Sequence, residues 1–357
     1  MQFFNDRPAG EVRKLLGIYA VLVGFNVTIW VLAFVEFADR PTLLGTALLA
    51  YILGLRHAVD ADHIAAIDNV VRKLMNENKR PLSAGLFFSL GHSTVVVLVT
   101  AAIALSAASL QARFEAFRET GGVIGTTVSA IFLLLIGLIN IVILRKVWSS
   151  FQHVRRGGRI EGHHLDMLQS GQGLLARLFR PLFGVISKSW HMYPLGFLFG
   201  LGFDTATEIG LLGISAAQAS QGTSPLLILI FPALFTAGMT LIDTTDGVFM
   251  IGAYGWAFVE PLRKLWYNLT ITAVSIAVAA LIGGIEALGL ISSKLKLTGA
   301  LWETINALND DSAFFGLIII AIFLLSWVVS AAIFRWTDLV RSAPDVRSRN
   351  VQSDFAA

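Results

Sequence analysis

The sequence predicts an all-α, multi-pass membrane protein that forms a single domain over residues 1–357 and crosses the bilayer eight times. Of the residues, 55% are hydrophobic and 14% charged, whereas soluble domains carry roughly 25% charged residues. The apolar residues also fall into continuous runs of about 20, the length that a helix needs to cross the hydrocarbon core. These runs are too long and too continuous for the alternating strands of a membrane β-barrel.

The predicted spans follow one another along the whole chain. We place them at 15–37, 42–70, 82–108, 121–144, 192–217, 225–259, 265–291 and 313–334. The first run is long enough to span and lacks a small-residue cleavage site, so we predict that it is retained. A cytoplasmic insert is predicted at about 145–190, with a Gly-rich solvated loop followed by an interfacial helix. His153, His163 and His164 lie in this insert and are more simply loop residues than metal ligands.

Lysine and arginine predict the orientation of the spans. The loops on one side, together with both termini, carry 21 of these residues, and the opposite loops carry five. Cytoplasmic loops hold the excess of positive charge in membrane proteins. We therefore predict that both termini are cytoplasmic and that the chain lies in the inner (cytoplasmic) membrane, surrounded by lipid.

Several function classes are excluded by what the sequence lacks. There is no cysteine, which removes disulfides, thiolate metal sites and cysteine nucleophiles. The net charge of +3 is not gathered into one basic stripe, so nucleic-acid binding is not predicted. No Gly-rich loop ends in Gly-Lys-Ser/Thr, so the chain is not predicted to hydrolyse ATP. We predict neither catalytic residues nor a cofactor.

Polar side chains interrupt the spans in four stretches. The first is GLRHAVDADHIAAIDN (54–69) in the second span, and the others are FSLGHSTVV in the third, GLGFDTATEIG in the fifth and GMTLIDTTDG in the sixth. Ionisable groups in hydrocarbon are costly, and they usually serve an ion or substrate path. Six of them within 54–69 are hard to explain as packing. They indicate a metal site.

The residue types narrow the ion. Imidazole nitrogen with carboxylate oxygen and no sulfur suits divalent Ni, Co, Zn, Mn or Fe better than Cu(I). The predicted ligands from residue type and position are His57, Asp60, His63 and His92. Residues predicted to support them are Arg56, Asp68, Asn69, Ser93, Thr94, Asp204, Thr205, Glu208, Asp243, Thr244 and Asp246.

Alternative roles remain open for the supporting residues. The four acidic residues of the fifth and sixth spans can instead form interhelical hydrogen bonds or pair with Arg56. Arg56 is expected to offset the negative charge of the site. Asp68 and Asn69 lie near the cytoplasmic end of their span, where an exit path or helix capping explains them as well as metal ligation does.

A regular helix cannot turn every acidic residue of the second span toward one neighbour. At about 100° per residue, His57, Asp60, His63 and Asp68 share a face of about 140°, whereas Asp62 points away from it. Either Asp62 faces a different neighbour, or the helix is distorted around residues 57–63. Transporters often place their binding sites at such broken helices.

The four stretches, in this order, resemble the signatures of the nickel/cobalt transporter family of bacterial and fungal permeases: HAVDADH, LGHSTVV, LGFDTATEI and GMTLIDTTDG. The resemblance covers the first six spans. It implies uptake of Ni²⁺ or Co²⁺ across the cytoplasmic membrane by one polypeptide, with no ATPase subunit and with the metal as transported substrate. It also implies that His57, Asp62 and His63 are essential and that His92 contributes to recognition. Asp62 is therefore added to the predicted ligands, and a break between His57 and His63 becomes the favoured explanation.

The Gly-Leu openings and acidic residues of GLRHAVDADHI and GLGFDTATEI lie in antiparallel spans, which favours a three-plus-three inverted repeat over spans one to six.

The competing functions are a divalent-metal exporter of related architecture and a membrane metalloenzyme. The enzyme is disfavoured because His-Glu-x-x-His is absent and only three histidines lie within spans. The sequence specifies neither the preferred metal nor the oligomeric state.

Overall fold

The structure is a computed structural model of the chain. It describes residues 9–77, 79–105, 111–155, 186–202, 206–257, 261–310 and 316–322, together with 325 and 329. Helices dominate this part of the chain and no strand occurs in it, which confirms the all-α class.

The described α-helices are, in chain order, α1 (Ala9–Glu36), α2 (Pro41–His57), α3 (Ala61–Asn76), α4 (Ala84–Leu105), α5 (Gln111–Arg155), α6 (Met192–Gly200), α7 (Ala206–Ser220), α8 (Pro225–Ile228), α9 (Ile230–Ala257), α10 (Pro261–Leu295) and α11 (Ala300–Asp310). Residues 316–322 are also helical. A short 3₁₀ turn, Ser189–His191, precedes α6.

Among the described residues, five helices are long and apolar enough to cross a membrane, or six if α2 and α3 count as one bent span. The predicted total of eight is therefore not reached in the described part. The fifth predicted span is divided between α6 and α7, and most of the eighth lies outside the described residues. So do residues 156–185 of the predicted insert, while α5 continues the fourth span as far as Arg155. Helix α11 was not predicted.

The second predicted span is broken between its two histidines. Helix α2 ends at His57, α3 begins at Ala61, and the two axes differ by 50°. Asp60 precedes α3 with an extended backbone (φ −63°, ψ 146°), yet its carboxylate makes no capping hydrogen bond. An aspartate at this position normally stabilises a helix by about 1 kcal/mol. The distortion predicted around residues 57–63 is confirmed. The Asp60 carboxylate contacts the His57 ring instead of capping α3.

Close backbone contacts hold the helices around this break. A Cβ on Gly54 of α2 would overlap the carbonyl of Phe235 in α9, and a Cβ on Gly196 of α6 would overlap the carbonyl of Phe88 in α4. Lipid is as apolar as a leucine side chain, so membrane helices associate chiefly through close packing, which small residues permit. These contacts pack α2 on α9 and α6 on α4, beside the break.

The contact at Gly196 gives a first prediction. In Gly196→Ala the new methyl group meets backbone that cannot rotate away, and such overpacking costs about 1–3 kcal/mol of unfolding free energy. We expect a lower midpoint of thermal unfolding for the purified protein in detergent. The control is Gly213→Ala in α7, where a Cβ would meet no heavy atom within 4 Å. Equal midpoints for the two variants would contradict the prediction.

Candidate metal site

Three buried histidines converge where α2 breaks. His57 ends α2, His63 lies in the first turn of α3 and His92 lies in α4; their exposed fractions are 1%, 0% and 2%. One ring nitrogen from each lies within 4.8 Å of the other two. A metal ion binds imidazole nitrogen at about 2.1 Å, so nitrogens that share one ion lie about 3–4 Å apart. The cluster therefore has the composition and nearly the spacing of a three-nitrogen metal site.

Carboxylates fix the orientation of two of these rings. His57 Nδ1 lies 2.9 Å from Asp60 Oδ2 and 3.0 Å from the Thr207 hydroxyl of α7, and His63 Nδ1 lies 3.2 Å from Asp243 Oδ2 of α9. An ionised carboxylate only accepts, so we assign each ring as donating from Nδ1. That tautomer leaves Nε2 with its lone pair available to a metal. His63 Nε2 is buried and has no hydrogen-bond partner, as expected of an atom that faces a ligand position.

His92 connects the cluster to a third carboxylate. Its Nε2 lies 2.9 Å from His57 Nε2 and 2.9 Å from Oε1 of Glu208, which stands in the first turn of α7 and is 1% exposed. Its Nδ1 is buried without a hydrogen-bond partner. The Glu208 oxygen therefore lies beside the imidazoles, where it can serve as an oxygen ligand in addition to the nitrogens.

Aromatic rings cover the cluster. The ring centroid of Phe88 lies 4.8 Å from that of His63, and the centroid of Phe235 lies 5.5 Å from that of His57. Each phenylalanine is fully buried. Because these apolar faces exclude water, a cation inside would depend on the histidines and carboxylates in place of its hydration shell.

The remaining residues of the first stretch are placed differently. Asp62 is partly buried in the first turn of α3 and interacts electrostatically with His63 and His92. The side chain of Arg56 is exposed and forms no ion pair with a residue that the structure describes. Asp204 and Thr205 lie outside the described residues.

The polar residues of α4 and α9 divide between buried and exposed positions. Ser93 and Thr244 are buried next to the cluster residues in sequence. Thr94 is on the outer side of α4, where its hydroxyl donates to the Leu90 carbonyl and lies 2.9 Å from the Tyr193 hydroxyl. Its position favours a contact between α4 and α6 over a contact with the metal.

A second polar group lies further along α3. The Ser275 hydroxyl donates to Asp68 Oδ2 at 2.7 Å, and the side-chain oxygen of Asn69 accepts from Arg72 at 2.8 Å and from Asn140 at 2.6 Å. All five residues are buried. Asp246, one turn after Asp243 in α9, interacts electrostatically with Asp68 and has a buried oxygen without a hydrogen-bond partner. Among the predicted supporting residues, Asp243 and Glu208 thus lie at the histidines, whereas Asp68, Asn69 and Asp246 belong to this second group.

Sequence reasoning missed three members of the second group. Ser275 and Asn140 are single polar residues in long apolar runs, where no neighbouring motif marks them. Arg72 was counted as a loop cation, but α3 continues to Asn76 and buries it to 1% exposure. The acidic residues four and ten positions before Arg72 are the signal that this helix continues past the apolar run.

Most of the chain is similar to proteins named for nickel or cobalt transport. A family model described as "High-affinity nickel-transport protein" matches residues 43–333. The chain is 57% identical over 322 residues to the high-affinity nickel transport protein of Cupriavidus necator, covering 90% of this chain and 92% of that protein. It is 45% identical over 334 residues to a nickel transporter of Staphylococcus aureus (94% and 96% covered). It is 37% identical over 324 residues to a cobalt transport protein of Rhodococcus rhodochrous (89% and 91% covered). No solved structure matches the chain.

Proposed function

This chain belongs to the high-affinity nickel-transport protein family, and on that premise we propose that it carries Ni²⁺ or Co²⁺ into the cell across the cytoplasmic membrane, with His57, His63 and His92 as ligands of the transported ion. The observation that carries the proposal is the convergence of three buried ring nitrogens within 4.8 Å, at the break of a membrane-spanning helix pair. The Lys and Arg distribution supports cytoplasmic termini.

The ligand set suits a late transition metal. Three imidazoles with carboxylate oxygen favour Ni²⁺, Co²⁺ or Zn²⁺, whereas Mg²⁺ and Ca²⁺ prefer oxygen ligands alone. The carboxylates of Asp60, Asp243 and Glu208 would offset the charge of the ion, because each lies within 3.2 Å of a ring nitrogen. We propose Asp62 as a further ligand or charge partner, since it interacts electrostatically with two of the rings.

We also propose that spans one to six form an inverted repeat, and the packing supports it. The sequence YILG at 51–54 in α2 matches YPLG at 193–196 in α6. The glycine of each packs on the backbone of a phenylalanine, Phe235 in α9 for the first and Phe88 in α4 for the second. This register differs by one helical turn from the Gly-Leu match seen in the sequence.

The partner helices match as well. Phe88 begins FSLG in α4 and Phe235 begins FTAG in α9, and the final glycine of each packs back on α6 and α2, respectively. The ring pairs correspond too: His57 to Phe235 at 5.5 Å and Phe199 to Phe88 at 5.3 Å. Two equivalent interfaces on either side of one site are what alternating access by rocking of repeats requires.

The membrane potential is a sufficient energy source. An inward-moving divalent cation gains about 4.6 kcal/mol at a potential of about 100 mV, twice the value for a single charge. That free energy supports an accumulation on the order of a thousandfold. Uptake therefore needs no ATPase subunit. Export of the same ions would have to work against this gradient, which is why uptake is proposed.

Radiolabelled metal tests the proposal. Cells that lack their own nickel transporter and express this chain should accumulate Ni²⁺ from trace concentrations faster than cells with the empty vector. Unlabelled Co²⁺, Zn²⁺ and Mn²⁺ as competitors would rank the ions. Efflux from preloaded cells distinguishes the alternative, since faster loss of metal in the expressing cells would identify an exporter. Accumulation equal to the vector control would contradict transport in either direction.

A further inference from the structure

The eighth predicted span, which carries none of the four motif stretches, reaches the break in the second. Gly316 is the first described residue of the helical segment 316–322 and is buried. A Cβ built on it would overlap the carbonyl group of Val59 and lie 3.3 Å from the amide nitrogen of Ala61. Both atoms belong to the backbone between His57 and His63. The segment therefore rests directly on the turn that separates two of the three histidines.

One residue of the next turn of the segment is buried as well. Ile319 is 3% exposed and belongs to the same buried apolar cluster as Ala61 and Ile64 of α3. On the other side of the break, Gly54 packs against the backbone of Phe235. The broken segment is thus held between backbone contacts from two helices that are far apart in sequence.

We propose that Gly316 is a positioning residue for the metal site. Its lack of a side chain lets the segment 316–322 seat against the Val59 carbonyl, and this seating sets the angle between α2 and α3. The angle in turn sets the distance between the rings of His57 and His63. The inference rests on the proposed transport function, and it extends the site to a helix outside the four motifs.

The physical reason lies in what the new side chain would meet. A methyl group at residue 316 faces a carbonyl group of the main chain, which cannot rotate aside as the end of a flexible side chain can. Either the break or the segment must move. Metal ligands must be held within about 0.5 Å of their working positions. A displacement of the break therefore acts on metal affinity through the main chain at Val59 and Ala61, which the new methyl group would meet.

The test compares Gly316→Ala with Gly284→Ala. Gly284 lies in α10, and a Cβ there would meet no heavy atom within 4 Å. For each full-length variant we would measure the Ni²⁺ dissociation constant by calorimetry in detergent, the KM and maximal rate of uptake per amount of protein in the membrane, and thermal unfolding without metal. We expect Gly316→Ala to raise the dissociation constant and KM about 10- to 100-fold, as losses of support for metal ligands do, and Gly284→Ala to resemble wild type.

The outcomes are distinct. A role in packing alone would lower the unfolding temperature but leave the dissociation constant and KM unchanged, and that result overturns the proposal. Failure of Gly316→Ala to accumulate in membranes where Gly284→Ala accumulates normally would also overturn it, because Gly316 would then serve folding only. Absence of uptake by the wild-type protein would instead contradict the transport function itself.

Discussion

Cells expressing His57→Ala are expected to accumulate no more nickel than cells with the empty vector. His57 supplies the Nε2 that lies 2.9 Å from His92 Nε2, so its loss removes a central ligand of the proposed site. It also leaves the carboxylate of Asp60, 2% exposed, without the imidazole that faces it. Removing one polar partner of a buried carboxylate is destabilising. We expect at least about a hundredfold loss of metal affinity.

A matched control distinguishes the loss of a proposed metal ligand from the loss of a histidine elsewhere in the chain. His191→Ala removes an imidazole from the 3₁₀ turn before α6, where Nδ1 accepts a hydrogen bond from the Ser187 amide at 3.2 Å. Nickel uptake by this variant should stay near wild type. Uptake by His57→Ala at the wild-type rate, with equal amounts of both variants in the membrane, would exclude the histidine cluster as the transport site.

The break in the second span was within reach of sequence reasoning. Ionisable groups are so costly in hydrocarbon that the stretch 54–69 had to be functional. Helical geometry then left Asp62 facing away from the other acidic and imidazole groups, a conflict that a distortion resolves. The cost of burying imidazoles in hydrocarbon, their ligand chemistry and the resemblance to the nickel/cobalt transporter family together predicted that His57, His63 and His92 form one site. The same resemblance made the break the favoured explanation for the position of Asp62.

The pairing of histidines with carboxylates could not be predicted from the sequence. His63 meets Asp243 and His92 meets Glu208 because α3 packs on α9 and α4 packs on α7. Periodicity along one helix does not specify its neighbours. The sequence therefore predicted these carboxylates as supporting residues, but not which histidine each would contact. The division of the fifth predicted span into α6 and α7 was hidden for a different reason. The polar stretch GLGFDTATEIG marks the interruption, but it was interpreted as part of one continuous span that carries supporting residues.

Asp243→Asn tests whether that pairing matters for transport. The substitution keeps the size of the side chain but replaces the carboxyl group 3.2 Å from His63 Nδ1 with an amide, at a position with 0% exposure. An amide can turn its NH₂ group toward the ring and favour the tautomer that protonates Nε2, the atom proposed to bind the ion. This effect weakens metal binding, and we expect the KM for nickel uptake to rise about 10- to 100-fold.

The control for Asp243→Asn lies two residues further along α9. Thr245→Val removes an exposed hydroxyl that accepts a hydrogen bond from the Tyr19 hydroxyl at 3.1 Å, so it alters the contact between α9 and α1 without touching the histidines. Its KM should equal that of wild type. A KM for Asp243→Asn that also equals wild type would mean that His63 needs no carboxylate to present Nε2. The charge of a transported ion would then have to be offset by Asp62 together with Asp60 and Glu208, the two carboxylates that lie 2.9 Å from the other rings.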